Sequence, residues 1–271
     1  MAKLHIDLLA EQVTDGEVNS AFESLPEDLS EAYGSVMKRI SVQKEKQRHI
    51  AMTALKWITY ARRPLKAEEL QHALAVTPDS TDINEKDFVD VDSLVSFCVG
   101  IVTVDPESGI IRLVHYTVQK YLEKQFPQVQ ANTEIARTCF GYLAFDVFSM
   151  SCEDAWSFEE RVKKYKFSSY AGIYWADHVR EGAEDHLHPL VLATFESEGR
   201  RDSMLQLQDL NFSSESYNYS LLHLAASQGL SKLCKALLSN WKRGNILRRK
   251  FNWGRFYLFS HVILTEQTWV C

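Results

Sequence analysis

The sequence lacks the short motifs that mark the commonest enzyme sites. It has no Gly-Lys dipeptide and no pair of glycines spaced as G-x-G, which removes the ATP-binding P-loop and the dinucleotide fingerprint. It also lacks the strained G-x-S-x-G turn of serine hydrolases and the H-E-x-x-H motif of zinc proteases. These four absences predict a protein that is not an enzyme and holds neither cofactor nor metal.

Cysteine pairs and long apolar runs are missing as well. The five cysteines include no C-x-x-C pair, and an odd, scattered set is typical of buried thiols in a reducing compartment. The longest apolar run, around residues 97–104, is far shorter than the roughly 20 residues that cross a bilayer. The first residues lack the apolar centre and cleavage site of a signal peptide. We therefore expect a cytoplasmic protein without a membrane span.

Charge is moderate in amount and negative in balance. The 271 residues carry a formal charge of −6, so the whole chain has no general attraction for nucleic acid or anionic membrane. Apolar residues make up 45% of the chain, which is enough to bury a core. The length alone suggests two domains.

The central part of the chain predicts a winged helix, that is, three helices followed by a two-stranded β wing. Apolar residues recur at helical spacing in three stretches, and β-branched residues then alternate on either side of a Pro-Glu-Ser-Gly turn. The helices are predicted at 47–61, 65–76 and 91–98, the strands at 101–104 and 110–114, with flanking helices at 27–42 and 117–124. The predicted core comprises Trp57, Leu70, Leu74, Leu94, Val102, Leu113, Tyr121 and Leu122.

A helical arm is predicted to follow. Helices are expected at 132–149, at 167–179 and at 187–197, with an irregular stretch after the first and with Pro189 in the first turn of the last. In the second helix Tyr170, Tyr174 and His178 lie four residues apart and therefore share a face. His186 and His188 would hold a metal only on a strand, where alternate side chains share a face; we favour a polar loop there.

A helical hairpin is predicted near residue 220. Ser220-Leu-Leu-His-Leu-Ala-Ala226 is close to the ankyrin signature T-P-L-H-x-A, and Gly229 marks the turn. The residues that carry this match are Ser220, Leu222, His223, Ala225, Ala226 and Gly229. No second repeat follows at the expected spacing, although ankyrin stacks need about three repeats to bury a continuous core. We read His223 and His115 as structural residues.

Both ends of the chain suggest a fragment. Residues 3–12 resemble the end of a helix that begins before Met1, and 14–22 predict a short helix. Residues 241–271 are basic and aromatic, with Glu266 as the only acid, and follow neither helical nor strand periodicity. We interpret this tail as irregular or wrongly translated sequence.

Nucleic-acid binding is the alternative function. A winged helix normally inserts its recognition helix into the major groove, with lysine and arginine on the phosphates. Here that helix lies within 89–98, which contain two acids and no base, so the domain is not expected to bind DNA. The wing and the basic aromatic tail remain the segments through which nucleic acid would be bound.

Taken together, these residues resemble a known family. The motifs are Glu23–Pro26, Asp28–Tyr33, Ala54–Trp57, Arg63–Leu65, Glu68–Leu70, Ala73–Ala75, Leu113–His115 and Tyr121-Leu122, with Tyr170-Ala171, Tyr174-Trp175 and His178 in the arm. They resemble the segment after the NACHT nucleotide-binding module of fungal NLR-like STAND proteins, whose centre is the GPI inositol-deacylase winged helix domain. The resemblance covers roughly residues 4–240.

The resemblance implies a mainly α-helical, non-catalytic module for regulation and protein interaction. It would gate an upstream NACHT-type domain that this chain lacks and lead into ankyrin repeats that bind an unknown protein. The domains it implies are the last helices of that module at 1–46, the winged helix at 47–126, the arm at 127–210, a linker and single repeat at 211–240 and the tail at 241–271. Neither ATPase nor deacylase activity carries over, because the P-loop and the nucleophile turn are absent.

Overall fold

The computed structural model describes residues 27–78, 80–182, 184–208 and 220–242. These residues fall into two compact units, the first within Met1–Ala75 and Lys86–Gln128, the second within Val76–Glu85 and Val129–Cys271. The described parts are mainly α-helical, with one small antiparallel sheet. Winged helix, helical arm and helical hairpin are all present, which confirms the predicted fold class.

The first unit contains the winged helix. Its elements are α1 (Glu27–Ser41), α2 (Glu45–Tyr60), β1 (Leu65–Lys66), α3 (Ala67–Leu74), α4 (Val91–Phe97), β2 (Val102–Val104), β3 (Ile110–Leu113) and α5 (Tyr116–Gln125), with a 3-10 turn at Glu85–Asp87 that spans the unit boundary. The core lies around α2, where Leu55 and Trp57 are fully or almost fully buried. Burying such side chains contributes about 1.5–3 kcal/mol each.

The sheet has a third strand that the sequence analysis does not predict. Its order is β1-β3-β2: Leu65 pairs with Ile111, and Val102 pairs with Leu113. The strand occupies only two residues, directly after Pro64. The helix predicted from Leu65 therefore begins at Ala67, because the residues before it are held in extended conformation by pairing with β3.

Local hydrogen bonds explain where the helices of this unit begin. At α3 the carboxylate of Glu69 accepts a hydrogen bond from the backbone N–H of Lys66 at 2.8 Å, which satisfies a donor that the helix leaves unpaired. At α4 the side chain of Asp90 accepts from the N–H of Ser93 at 3.0 Å. Acidic residues at these positions also interact favourably with the helix dipole.

The second unit contains the arm and the hairpin. Its helices are α6 (Gln128–Leu143), α7 (Ala155–Lys164), α8 (Ser168–Glu181), α9 (Glu184–Phe195), α10 (Glu198–Gln208), α11 (Leu221–Ser227) and α12 (Ser231–Lys242), with a 3-10 turn at Asp146–Phe148. Gln128, the first residue of α6, belongs to the other unit.

Three predictions for the arm are wrong. The helix predicted to run to Ser149 ends at Leu143, where the chain turns into a 3-10 segment and buries Phe148. The stretch taken as irregular contains α7, which begins after Asp154 because that carboxylate accepts from Ser157 N–H at 2.7 Å. Pro189 lies inside α9 rather than in its first turn, since α9 begins at Glu184.

The core of the arm is built from aromatic side chains. The ring of Tyr142 lies 4.8 Å from that of Phe145 and 5.2 Å from that of Phe167, centroid to centroid. Phe140 and Trp175 lie 5.3 Å apart. Tilted and edge-on rings at these distances contribute about 0.5–1.5 kcal/mol per pair beyond burial. These contacts connect α6 with α8.

Several predictions concern other parts of the chain. The helices at 3–12 and 14–22, nearly all of the linker at 211–219 and most of the basic aromatic tail at 243–271 lie outside the described residues.

Candidate interaction surfaces

Helix α4 occupies the position that recognition helices take in DNA-binding winged helices. Its exposed charge is Asp92, and the capping residue Asp90 adds a second carboxylate. Leu94 is fully buried, and Val91 and Val95 on the adjoining part of the helix surface are half-buried. This surface would repel phosphate and suits an apolar protein contact.

The wing is equally poor in positive charge. Arg112, on β3, is the only lysine or arginine in residues 87–115. At the wing turn, the Oδ1 atom of Asp105 accepts hydrogen bonds from the backbone N–H and hydroxyl of Ser108 at 2.9 and 2.8 Å. These bonds lower the pKa of the Asp105 carboxyl and keep it ionised. The wing therefore offers carboxylates where phosphate contacts would need cations.

His115 caps helix α5 through a short chain of hydrogen bonds. Its Nδ1 atom accepts from the backbone N–H of Thr117 at 3.2 Å and lies 2.8 Å from the hydroxyl of the same residue. That hydroxyl is 2.8 Å from the phenol oxygen of Tyr33. Burial lowers the pKa of His115, which favours the neutral ring that this capping role requires.

The residues predicted for the winged-helix core differ in burial. Five side chains are at most 2% exposed, and three are half-buried. The buried ones are Trp57, Leu70, Leu94, Val102 and Leu122; the half-buried ones are Leu74, Leu113 and Tyr121.

The His186 and His188 pair is not in a loop, so that prediction is wrong. Both residues lie in α9, where side chains two positions apart point in different directions. The Nε2 atom of His188 is 3.5 Å from the carboxylate of Glu184, one turn earlier. Among the residues that the structure describes, no three His, Cys, Asp or Glu side chains are arranged to hold a metal ion.

The ankyrin-like motif forms a helical hairpin of α11 and α12. Ser220 caps α11, and its backbone N–H donates to Nδ1 of His223 at 3.3 Å. Gly229 adopts a φ of +68° at the turn, a conformation that glycine accepts at no steric cost. Leu222 and Ala225 are buried, whereas Ala226 is half-buried.

The hairpin is joined to the arm by a buried carboxylate that the sequence analysis missed. Glu184 of α9 is 7% exposed and accepts hydrogen bonds from the backbone N–H groups of Lys232 and Leu233, each at 3.1 Å. It therefore caps α12 from a different helix. The Lys232 ammonium also lies 2.8 Å from the carboxylate of Asp185. In the sequence, Glu184 and Asp185 are only two acids before Pro189, and no local pattern connects them with α12.

A second buried polar cluster comprises Tyr170, His178 and Asn132, and the sequence predicts only the first two as neighbours. The four-residue spacing placed Tyr170 and His178 on one face, and the structure puts the Tyr170 hydroxyl 2.8 Å from His178 Nε2. The other ring nitrogen lies 2.6 Å from the side-chain oxygen of Asn132. All three side chains are fully buried, so this cluster fixes α6 against α8.

Four cysteines lie among the described residues, all as buried free thiols. Burial raises the pKa of Cys98 to about 12 and that of Cys234 to about 11. It also raises the pKa values of Cys139 and Cys152. Thiols that stay protonated at neutral pH are weak nucleophiles and weak metal ligands.

No helix among the described residues is both long and apolar enough to cross a membrane.

Comparison with known proteins identifies the winged helix. Residues 37–137 match the family model described as "GPI inositol-deacylase, winged helix domain", so a winged helix domain of that type is present. The chain is also similar to the "Azaphilone pigments biosynthesis cluster protein L" of Monascus ruber. The two are 27% identical over 183 residues, which cover 60% of this chain and 37% of that protein. The chain thus spans little more than a third of this curated relative's length. No solved structure matches.

Proposed function

We propose that this chain is a non-catalytic regulatory and protein-interaction module of a STAND/NLR-like signalling protein. Its winged helix packs on a NACHT-type nucleotide-binding domain, and its hairpin leads towards a protein partner. The observation that carries this proposal is the surface of α4, which has two exposed carboxylates beside half-buried valines where a DNA-binding winged helix presents lysine and arginine. The match to the GPI inositol-deacylase type of winged helix supports it.

The chemistry of the described residues also favours a non-catalytic role. The four buried thiols have raised pKa values, and His115 and His223 are engaged in capping helices. These groups stabilise structure. The name of the Monascus ruber relative places that protein in a pigment biosynthesis cluster and states no reaction.

The mechanism would be conformational. A nucleotide-binding domain that presents different surfaces with ADP and with ATP would favour different packings of the winged helix. The ligand shifts this equilibrium only by the difference in its affinity for the two states. The winged helix therefore needs an apolar contact that forms in one state and not in the other, and our candidate is the part of α4 around Val91 and Val95.

The proposal is tested by binding to a recombinant NACHT-type domain, taken from a protein in which such a domain directly precedes a winged helix of the same family. Biolayer interferometry with the ADP-loaded and ATP-loaded domain should show binding that depends on the nucleotide. Replacing Val91 and Val95 by arginine should weaken it by at least about 10-fold, because charge would be buried in the contact. The matched control is Val129→Arg, at a side chain that is 55% exposed in the other unit.

Two results would overturn this function. One is the absence of binding to either nucleotide state by a chain whose circular dichroism shows it to be folded. The other is tight, salt-dependent binding to a DNA duplex that the α4 substitutions abolish, which would make α4 a recognition helix.

A further inference from the structure

The turn between α1 and α2 carries a dense cluster of positive charge that the proposed function does not use. Residues 38–49, here called the basic turn, contain five lysines and arginines and a single acid, Glu45. The cations are Lys38, Arg39, Lys44, Lys46 and Arg48, and all five side chains are exposed. A chain with a net charge of −6 thus has one strongly positive surface in its first unit.

The basic turn is held in place from inside. Ile40 is fully buried, and Gln43 donates a hydrogen bond to the backbone oxygen of Phe97 at 3.0 Å. Arg48 donates to the backbone oxygen of Ser41 at 3.2 Å, across the turn. These contacts hold the backbone of the turn in place while its cationic side chains stay exposed.

An apolar side chain lies among these cations. Val42, between α1 and α2, is 75% exposed, the largest exposure of any large apolar side chain among the described residues. None of Lys38, Arg39, Lys44 or Lys46 forms an ion pair with another described residue. The turn therefore combines available positive charge with an available apolar group.

The combination of exposed cations with an exposed valine favours an anionic bilayer over a nucleic acid as the partner. The phosphates of a nucleic acid would attract the cations, but its backbone has no apolar surface that an exposed valine could contact. Proteins that bind single strands also present aromatic side chains for stacking, and the basic turn contains no Phe, Trp or Tyr. An anionic bilayer would bind both the cations and Val42, since its headgroups attract lysine and arginine and its interface accepts an apolar side chain.

We propose that the basic turn is a docking site for the surface of an anionic lipid bilayer, with its cations on the headgroups and Val42 inserted at the interface. This contact is peripheral and reversible, because one aliphatic side chain and a polybasic patch anchor weakly. It uses none of the α4 side chains of the proposed contact and does not depend on that contact.

The test is flotation of the full chain with vesicles at low ionic strength. Vesicles of phosphatidylcholine in which about a third of the lipid is phosphatidylserine should bind the chain, whereas pure phosphatidylcholine vesicles should not. Lys44→Gln with Lys46→Gln should lower the partition coefficient about 25-fold, since each cation near such a surface contributes about five-fold. Val42→Asp should lower it further.

Matched controls separate this site from general charge. Lys163→Gln with Lys235→Gln removes two exposed lysines of the other unit, and Val129→Asp alters an exposed valine there. Both variants should bind as the unaltered chain does. The proposal is overturned if anionic vesicles are not bound, if the controls lose as much as the turn variants, or if Val42→Asp leaves binding unchanged. It is also overturned if a DNA duplex competes the chain off the vesicles through the same lysines.

Discussion

The guanidinium of Arg63 donates two hydrogen bonds to the carboxylate of Glu69, at 2.6 and 2.9 Å. Glu69 is 7% exposed and also accepts from the backbone of Lys66, so one carboxylate fixes the approach to β1 and the start of α3. In the sequence, Arg63 and Glu69 stand out only as parts of the motifs that carry the family resemblance. Their pairing gives both residues a structural role, since a bidentate contact joins the guanidinium of arginine to a carboxylate.

Glu69→Gln should reduce the free energy of unfolding of the winged helix by about 2 kcal/mol. The substitution removes the negative charge that pairs with the guanidinium of Arg63. Urea denaturation of the full chain, followed by hydrogen exchange in α3, measures this. Glu107→Gln at the exposed wing turn is the matched control and should change stability by less than about 0.5 kcal/mol. Equal effects of the two substitutions would show that the Glu69 pair does not stabilise α3.

Glu184 is expected to hold the hairpin on the arm. Glu184→Ala leaves two backbone N–H groups of α12 without their partner, so the hairpin should lose about 1–3 kcal/mol of protection against hydrogen exchange. Asp185→Asn removes only an ion pair with Lys232 that is exposed and screened by solvent, so it should change the protection of the hairpin much less than Glu184→Ala does. If the two variants exchange equally fast in α11 and α12, the capping role of Glu184 is wrong.

Sequence periodicity was sufficient for the winged helix because its elements are local. The helical spacing of apolar residues in α2 and the alternation around Asp105 to Gly109 specify helix and hairpin without knowledge of distant residues. Strand β1 was missed because two residues carry no periodicity, and only the pairing of Leu65 with Ile111 makes them a strand.

The buried polar contacts of the arm could not be predicted because they join residues that are distant in the sequence. Asn132 and His178 are 46 positions apart, and Glu184 and Lys232 are 48 apart, so no local pattern connects them. The loop prediction at His186 failed for a different reason. Pro189 is typical of a first turn and predicts a helix that begins at Leu187, whereas α9 begins three residues earlier, at Glu184.

Two helical glycines should respond in opposite ways to alanine. A Cβ atom added at Gly172 would lie 2.5 Å from the Cβ of Leu207, because α8 and α10 approach closely there. Gly172→Ala should therefore destabilise the arm by about 1–3 kcal/mol. At Gly34 the nearest atom is 3.8 Å away, so alanine should add stability, by up to about 1 kcal/mol, through its better helix propensity.

Thermal denaturation of both glycine variants checks this contrast. A further variant, Leu207→Ala in the Gly172→Ala background, should restore little, because alanine keeps the Cβ atom that causes the clash. Full restoration would show instead that the outer atoms of Leu207 determine the distance between the helices. A neutral effect of Gly172→Ala would mean that the helices separate without cost.

The capping role of His115 predicts a specific dependence on pH. Folding lowers the pKa of His115 below the ordinary value of 6.5, so the unfolded chain binds this proton more readily. The stability that neutral His115 contributes is present above about pH 6.5 and is lost as the pH falls through the lowered pKa of the folded state. Protonation of Nδ1 would also remove its hydrogen bond from Thr117.

Substitutions at His115 can separate capping from titration. Asparagine retains an acceptor for the helix but does not titrate, so His115→Asn should keep stability at pH 7.5 and reduce its decline towards pH 5. His115→Ala loses the cap and should cost about 1 kcal/mol at pH 7.5. Urea denaturation at several pH values measures both effects, and the histidine ring signals in NMR spectra give the pKa directly. If the decline of the His115→Asn variant matches that of the unaltered chain, the pH dependence arises from other groups and His115 acts only as a cap.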